Sequence, residues 1–308
     1  MTASAVAPIE TIELTKRYGR ITALAGLGMR VERGSVFGFL GPNGAGKTTA
    51  VKLLLGLARP TSGDAIVLGA PVSDERAHRA ARRRVGYLPE LFRYPGWLSA
   101  REVLGVHSEL ARLAPPWGAA IDSVLATVGL GDRAGDRVEG FSKGMQQRLG
   151  LAVAMLGSPE VVVLDEPTSA LDPIGRHDVR EILRSLRERG TTVFLNSHLL
   201  SEVEQVCDRV AIVDRGTIVA QGTLGELLRS DSVRIRAAGL TPDVRAEAAR
   251  RGFALDGDGE RLVAHGVDIE RVPVLVEALV RAGARVYSVE PMQQTLEDRF
   301  LQLLSERH

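Results

Sequence analysis

Residues 41–48 read GPNGAGKT, directly after the apolar run SVFGFL and running into KTTAVKLLLGL. No other stretch limits the fold as tightly. Small, backbone-permissive residues between a buried strand and a helix let consecutive N–H groups turn inward around an oxyanion. Lys47 adds a positive charge and Thr48 a hydroxyl, so the pattern G-x-x-x-x-G-K-[ST] predicts a polyphosphate cradle. In it Gly41, Pro42, Asn43, Gly44, Ala45, Gly46, Lys47, Thr48 and Thr49 wrap the phosphates, and Thr48 also faces Mg²⁺. Such a cradle needs a strand that feeds a helix N-terminus, which commits this region to α/β structure.

The rest of the chain extends that commitment. From Ile9 to about Arg229, short runs rich in Val, Ile and Phe alternate with helical stretches. Strand candidates include residues 35–41, 65–69, 85–89, 161–165 and 192–197. Between Ser99 and Gly157 strands vanish, which predicts an inserted helical subdomain at about 99–157. The Gly- and Asp-rich segment GDRAGDRVEG at 131–140 reads as a loop. After Ser230 the order becomes β-α-β-β-α-β, a ferredoxin-like sequence of elements, and then a helix with Leu296, Phe300, Leu303 and Leu304 on one face. The expected division is therefore residues 1–229 and 230–308, the second a small α+β accessory or regulatory domain.

Composition excludes several classes of function. Apolar content of 44% and charged content of 25% are those of a globular protein. A net charge of +1 offers no bulk attraction to nucleic acid or an anionic membrane. Arg79 with the ARRR run at 81–84 reads as a solvated helix face. The single cysteine, Cys207, rules out an internal disulfide framework and reads as a small buried side chain. The start MTASAVAP lacks the pattern of a signal peptide, and no apolar run is long enough to span a bilayer. The expectation is a cytoplasmic protein.

Two further motifs carry chemistry. VVVLDEPTSALD at 161–172 predicts a buried strand with Asp165 at its carboxyl end, placed to hold Mg²⁺, followed by Glu166, placed to orient and deprotonate a water. FSKGMQQRLG at 141–150 sets Ser142 and Gly144 just ahead of a helix read to begin near Met145, which makes a second anion site. Tyr18 taken alone is an ordinary strand-end aromatic, and His198 taken alone an ordinary hydrogen-bonding histidine.

The order of the phosphate loop, FSKGMQQR, VVVLDEP, SALD and NSH, with a helical insert, resembles the ATP-binding subunit of an ABC transporter over about residues 9–229. The resemblance implies that Tyr18 stacks on adenine and that Ser142 and Gly144 contact the γ-phosphate. It also implies that Asp172 signals between two ATP sites and that His198 senses the γ-phosphate. Lys47, Glu166 and His198 become the catalytic set, with ATP and Mg²⁺ as ligands. Lys143 and Met145 depart from the common L-S-G-G-Q signature and look like the exporter branch that moves lipids, drugs or antibiotics. Glu90, in YLPE, stands where the family more often has Gln, as a ligand to Mg²⁺ or the lytic water. The ending TLEDRFLQLL resembles drug-exporting subunits.

The implied protein is an ATPase that energises export of a hydrophobic drug, antibiotic or lipid-like cargo through a separate integral membrane permease. It is expected to act as a head-to-tail homodimer, peripheral at the inner face of the membrane, without nucleic acid. The alternative is a soluble ABC ATPase acting on ribosomes or DNA, but those carry two cassettes or a long coiled coil, and neither pattern is present. A small-molecule kinase would leave FSKGM unexplained.

Overall fold

The computed structural model describes residues 6–169, 171–257 and 259–305. Residues 1–5, part of the stretch read for a targeting signal, lie outside them. The chain opens with β1 (Ile9–Tyr18), β2 (Ile21–Val31), β3 (Val36–Leu40), α1 (Lys47–Leu54), β4 (Ser62–Val67), β5 (Ala70–Pro71), α2 (Glu75–Arg82) and β6 (Val85–Leu88). Helices α3 (Ala100–Leu110), α4 (Gly118–Thr127) and α5 (Lys143–Met155) follow, with short 3₁₀ turns inside the expected 131–140 loop. Next come β7 (Val161–Asp165), α6 (Pro173–Glu188), β8 (Thr192–Ser197), α7 (Leu200–Val206), β9 (Arg209–Asp214) and β10 (Thr217–Thr223).

Two sheets build this first body. One runs β10-β9-β3-β8-β7-β6, parallel except for the β9–β10 hairpin at its edge. Every residue of β3, β7 and β8 is buried, as strands covered on both faces must be. Phe194 of β8 lies between Phe37 and Phe39 of β3, with ring centroids 5.9 and 5.5 Å away. The second sheet, β2-β1-β4-β5, is antiparallel. Helix α1 packs between the two, its Val51, Leu53 and Leu54 sharing one core with Leu14, Leu24 and Leu27 from one side and Phe39, Val163 and Phe194 from the other.

The structure corrects several boundaries. β4 starts earlier and stops at Val67, because Leu68 (φ +51°) and Gly69 (φ +80°) turn the chain. Helix α5 starts at Lys143 rather than Met145. Ser142 caps it by accepting from Met145 N at 3.2 Å, so Gly144 lies within the first turn and not ahead of it. Cys207 is buried just past α7, and burial pushes its thiol far above the ordinary value.

By its internal packing the chain divides into one body that runs to Leu224 and takes in the residues from Leu303 on, and a second, Gly225–Gln302. The division falls a few residues before the expected 229/230, because a short helix, α8 (Leu224–Leu227), leads directly into the next strand. That second body continues with β11 (Arg229–Ala238), α9 (Pro242–Arg250), β12 (Ala254–Asp256), β13 (Arg261–His265), α10 (Val272–Arg281), β14 (Arg285–Gln293) and α11 (Leu296–Ser305) as far as Gln302. Its sheet is antiparallel in the order β12-β13-β11-β14, the pairing expected of a β-α-β-β-α-β chain. Val233, Ile235, Leu262 and Ala264 pack against Val244, Ala248, Leu275 and Leu279 of its helices.

Candidate nucleotide site

Strand β3 delivers the chain to Gly41 at the carboxyl end of the parallel sheet, where ligands collect in such folds. Glycine is required at two points of the loop. A Cβ on Gly41 would lie 2.3 Å from the Val213 carbonyl oxygen, and one on Gly46, at φ +104°, 2.4 Å from that of Ala23. The β9–β10 hairpin braces the loop from behind, with Gly216 N donating to Ala45 O at 2.9 Å.

Helix α1 begins on Gly46 with no side-chain cap and no acidic residue in its first turn. Helices α3, α5 and α6 are capped by Ser99, Ser142 and Asp172. The first N–H groups of α1 are thus left for an anion, with the helix dipole behind them. Lys47 is buried, and its Nζ donates to Gly41 O at 2.7 Å and Pro42 O at 3.3 Å. Burial holds this ammonium below the ordinary lysine value, while Glu166, Asp165 and Glu90 draw it back up.

A hollow of about 360 Å³ opens over this loop. Pro42, Asn43, Gly44, Gly46, Lys47, Thr48 and Thr49 line it together with Asp165 and Glu166 past β7, His198 past β8, and Glu90 past β6. Gly41 and Ala45 are buried behind it, one accepting from Lys47 and the other held by Gly216.

Asp165 and Glu166 end β7 in different states. Burial raises the Asp165 carboxyl above its ordinary value, and a hydrogen bond from Asn196 Nδ2 opposes the rise; Glu90 and Glu166 add to it and Lys47 subtracts. Glu166 takes φ +51°, a left-handed conformation costing a residue with a Cβ about 1–2 kcal/mol. Its N–H donates to Asn196 O at 2.9 Å, and Ser169 closes a turn on its carbonyl. His198 Nδ1 lies 2.8 Å from Glu166 Oε2. The contact is close but off the line of a hydrogen bond, which leaves this buried oxygen without an aligned donor among the described residues.

Sequence reasoning missed Asn196. It is buried, lines the hollow, donates to the Asp165 carboxylate, accepts from the Glu166 N–H and keeps Oδ1 unpartnered. The signal was the Asn of NSH, two residues before His198. Ile21, Thr22 and Ala23 at the mouth were also missed.

Besides Gly41 and Ala45, four expected residues do not line this hollow. Tyr18 ends β1, 46% exposed, with Lys16 Nζ 4.8 Å from its ring centre. Ser142 and Asp172 are exposed caps of α5 and α6. Gly144 faces Leu171, so these two caps are neighbours.

The ABC transporter domain matches residues 24–169. The daunorubicin resistance ATP-binding protein DrrA3 of Streptomyces coeruleorubidus is 39% identical over 295 residues, spanning 94% of this chain and 93% of its own. The chain belongs to the ABC transporter ATP-binding proteins. A Nod factor export ATP-binding protein I of Burkholderia thailandensis is likewise 39% identical, over 97% of each chain. A solved ATP-binding subunit of an ABC transporter is similar with a TM-score of 0.64 at 29% identity, over 71% of this chain and 91% of its own. As a member of this family the chain binds ATP and couples its hydrolysis to transport.

Proposed function

We propose that this ABC protein is the ATPase subunit of an exporter, driving a hydrophobic drug, antibiotic or lipid-like cargo through a separate permease at the inner face of the membrane. The observation that carries this reading is coverage. Relatives named for daunorubicin resistance and Nod factor export align over 94% and 97% of the chain, a span that must include most of Gly225–Gln302.

A surface feature supports a partner. Next to Glu90, Leu91 is 87% exposed and Trp97 70%, with Leu110 of α3 at 73%. The Tyr94 ring meets Phe92 at 5.4 Å and the edge of His107 at 5.6 Å, which holds this segment on α3. Exposed apolar surface continuous with a pocket residue suits a partner protein. No helix among the described residues is long and apolar enough to cross a membrane, which in this reading leaves the cargo path to the permease.

Within the site, the N–H groups of α1 and its loop bind the phosphates, and Lys47 leaves its two carbonyl partners for the β- and γ-phosphates. Tyr18 at the rim offers a face for adenine. The donors fit Mg²⁺: Thr48, Asp165 and Glu90 present hard oxygens, the buried Asn196 Oδ1 has no partner, and the buried Glu166 Oε2 has no aligned hydrogen-bond donor among the described residues. Among the described residues no three His, Cys, Asp or Glu side chains converge to hold a metal unaided, which suits an ion that keeps waters and phosphate oxygens as ligands. When bound, Mg²⁺ neutralises charge on the phosphates. Glu166 takes the proton of the attacking water, with His198 steadying its carboxylate. Ser142, Gly144 and Asp172 belong in this reading to the site of a second copy.

Isolated from its native membranes, the full chain should carry with it a protein of about six apolar spans, and lipophilic cargo should stimulate the ATPase of the reconstituted pair. Co-purification with ribosomes or nucleic acid, with an ATPase indifferent to any membrane protein, would contradict the proposal.

A further inference from the structure

In the C-terminal body α9 and α10 pack on one face of the sheet. Along β11, Val233, Ile235 and Ala237 are buried, and Arg234 and Arg236 between them take the open side. On β13 the buried Leu262 and Ala264 alternate with Arg261, Val263 and His265. The register sets Arg236 directly opposite Arg261. Cross-strand neighbours have Cβ atoms about 5 Å apart, where like charges destabilise a sheet.

Nothing among the described residues neutralises them. None of Arg234, Arg236 and Arg261 has a carboxylate at ion-pair distance. Glu290 stands opposite Arg234 in register without closing on it, and the Asp256 carboxylate is taken by His265 Nε2 at 3.0 Å. Arg236 instead lies over the Tyr287 ring, 5.6 Å from its centre. A hollow of about 650 Å³ opens above these groups, bounded also by Val263 and Ser288. That volume is within the range of small-molecule sites. Its hairpin wall is pinned, since Arg245 donates to Leu255 O at 3.2 Å and Gly257 O at 2.7 Å.

We propose that this face binds a small organic anion, a carboxylate or phosphate monoester carried on a planar or apolar body. The facing guanidiniums grip the anionic head, as planar forks do. Val263 receives the body, and the Ser288 hydroxyl adds a polar contact. The site shares no residue with the nucleotide hollow and gives the ATPase a chemical input other than ATP.

Phenyl phosphate is a suitable probe, titrated calorimetrically into the full chain with saturating ADP so that the phosphate loop is filled. One saturable site per chain is expected, with inorganic phosphate binding more weakly. Benzoate tests the carboxylate arm. Arg236→Gln with Arg261→Gln should weaken binding at least tenfold, yet the ligand-free double variant should melt no lower than the parent, because a repulsion has been removed. Failure of both aromatic probes to bind, equal binding by the double variant, or a lower melting temperature of that variant overturns the proposal. Saturable binding of single-stranded RNA without binding of either probe overturns it as well.

Discussion

Two adjacent carboxylates, Asp165 and Glu166, differ in what surrounds them and hence in what their substitution does. Glu166→Gln removes the proton acceptor and keeps the shape, so ATP binding should persist while hydrolysis slows about 10²–10⁴-fold. Hydrolysis at the parental rate would remove Glu166 from that role. Asp165 carries a carboxyl raised from 3.8 chiefly by burial. The folded chain therefore holds this proton more tightly than the unfolded one. The stability it contributes is fully present below about 3.8 and is lost as pH rises through the higher folded value. Asp165→Asn fixes the neutral form and can still accept from Asn196. At neutral pH without Mg²⁺ it should melt higher than the parent, and Mg²⁺-dependent hydrolysis should be lost. A lower melting temperature would contradict the sign. Lys47, Thr48, Asp165 and Glu166 were legible in the sequence, because motif spacing after a buried strand dictates where each side chain emerges, while His198 was legible only through the family resemblance. Asn196 was not, because it acts through hydrogen bonds to residues far away in the chain.

Elements differ in how openly they declare themselves. β3, β7 and β8 are uninterrupted apolar runs, and the turns of the C-terminal body spell out its order. The β1–β2 ribbon is harder to see. Register shifts between Thr11 and Leu14 and between Leu14 and Lys16, with Glu13 at φ +46°, break the alternation that marks a strand. The caps of α5 and α6 show a similar limit. Ser142 is recognisable just ahead of a helix, but its exposure and that of Asp172, against the uncapped start of α1, appear only in three dimensions. Since every residue lining the nucleotide hollow precedes Leu224, a chain ending there should bind ATP with parental affinity. Dimer stability or transport should suffer instead. Titration of a fluorescent ATP analogue into the folded, truncated chain checks this, and lost affinity would contradict the independence of the two bodies.

At the scale of the whole molecule, the central claim is that one chain holds half of two sites. Its nucleotide hollow gathers the phosphate loop with Glu90, Asp165, Glu166 and His198, while Ser142 and Asp172 stand exposed, with Gly144 beside Leu171, elsewhere on the first body. A two-fold pair of chains can bring each loop against the other's α5 and bury two ATP molecules at one isologous interface. In the proposed exporter, closure would depend on the γ-phosphate and so couple hydrolysis to movement of the permease. Mixing two inactive variants, Lys47→Ala and Ser142→Arg, measures this most directly. In a mixed dimer one site carries both lesions and the other neither. Random pairing should therefore restore up to roughly a quarter of parental ATPase, since half of the dimers hold one intact site. Nucleotide trapping read in parallel reports that intact site even where hydrolysis needs both. Recovery by either readout is the expected result; no recovery by both would mean that loop and signature act within one chain.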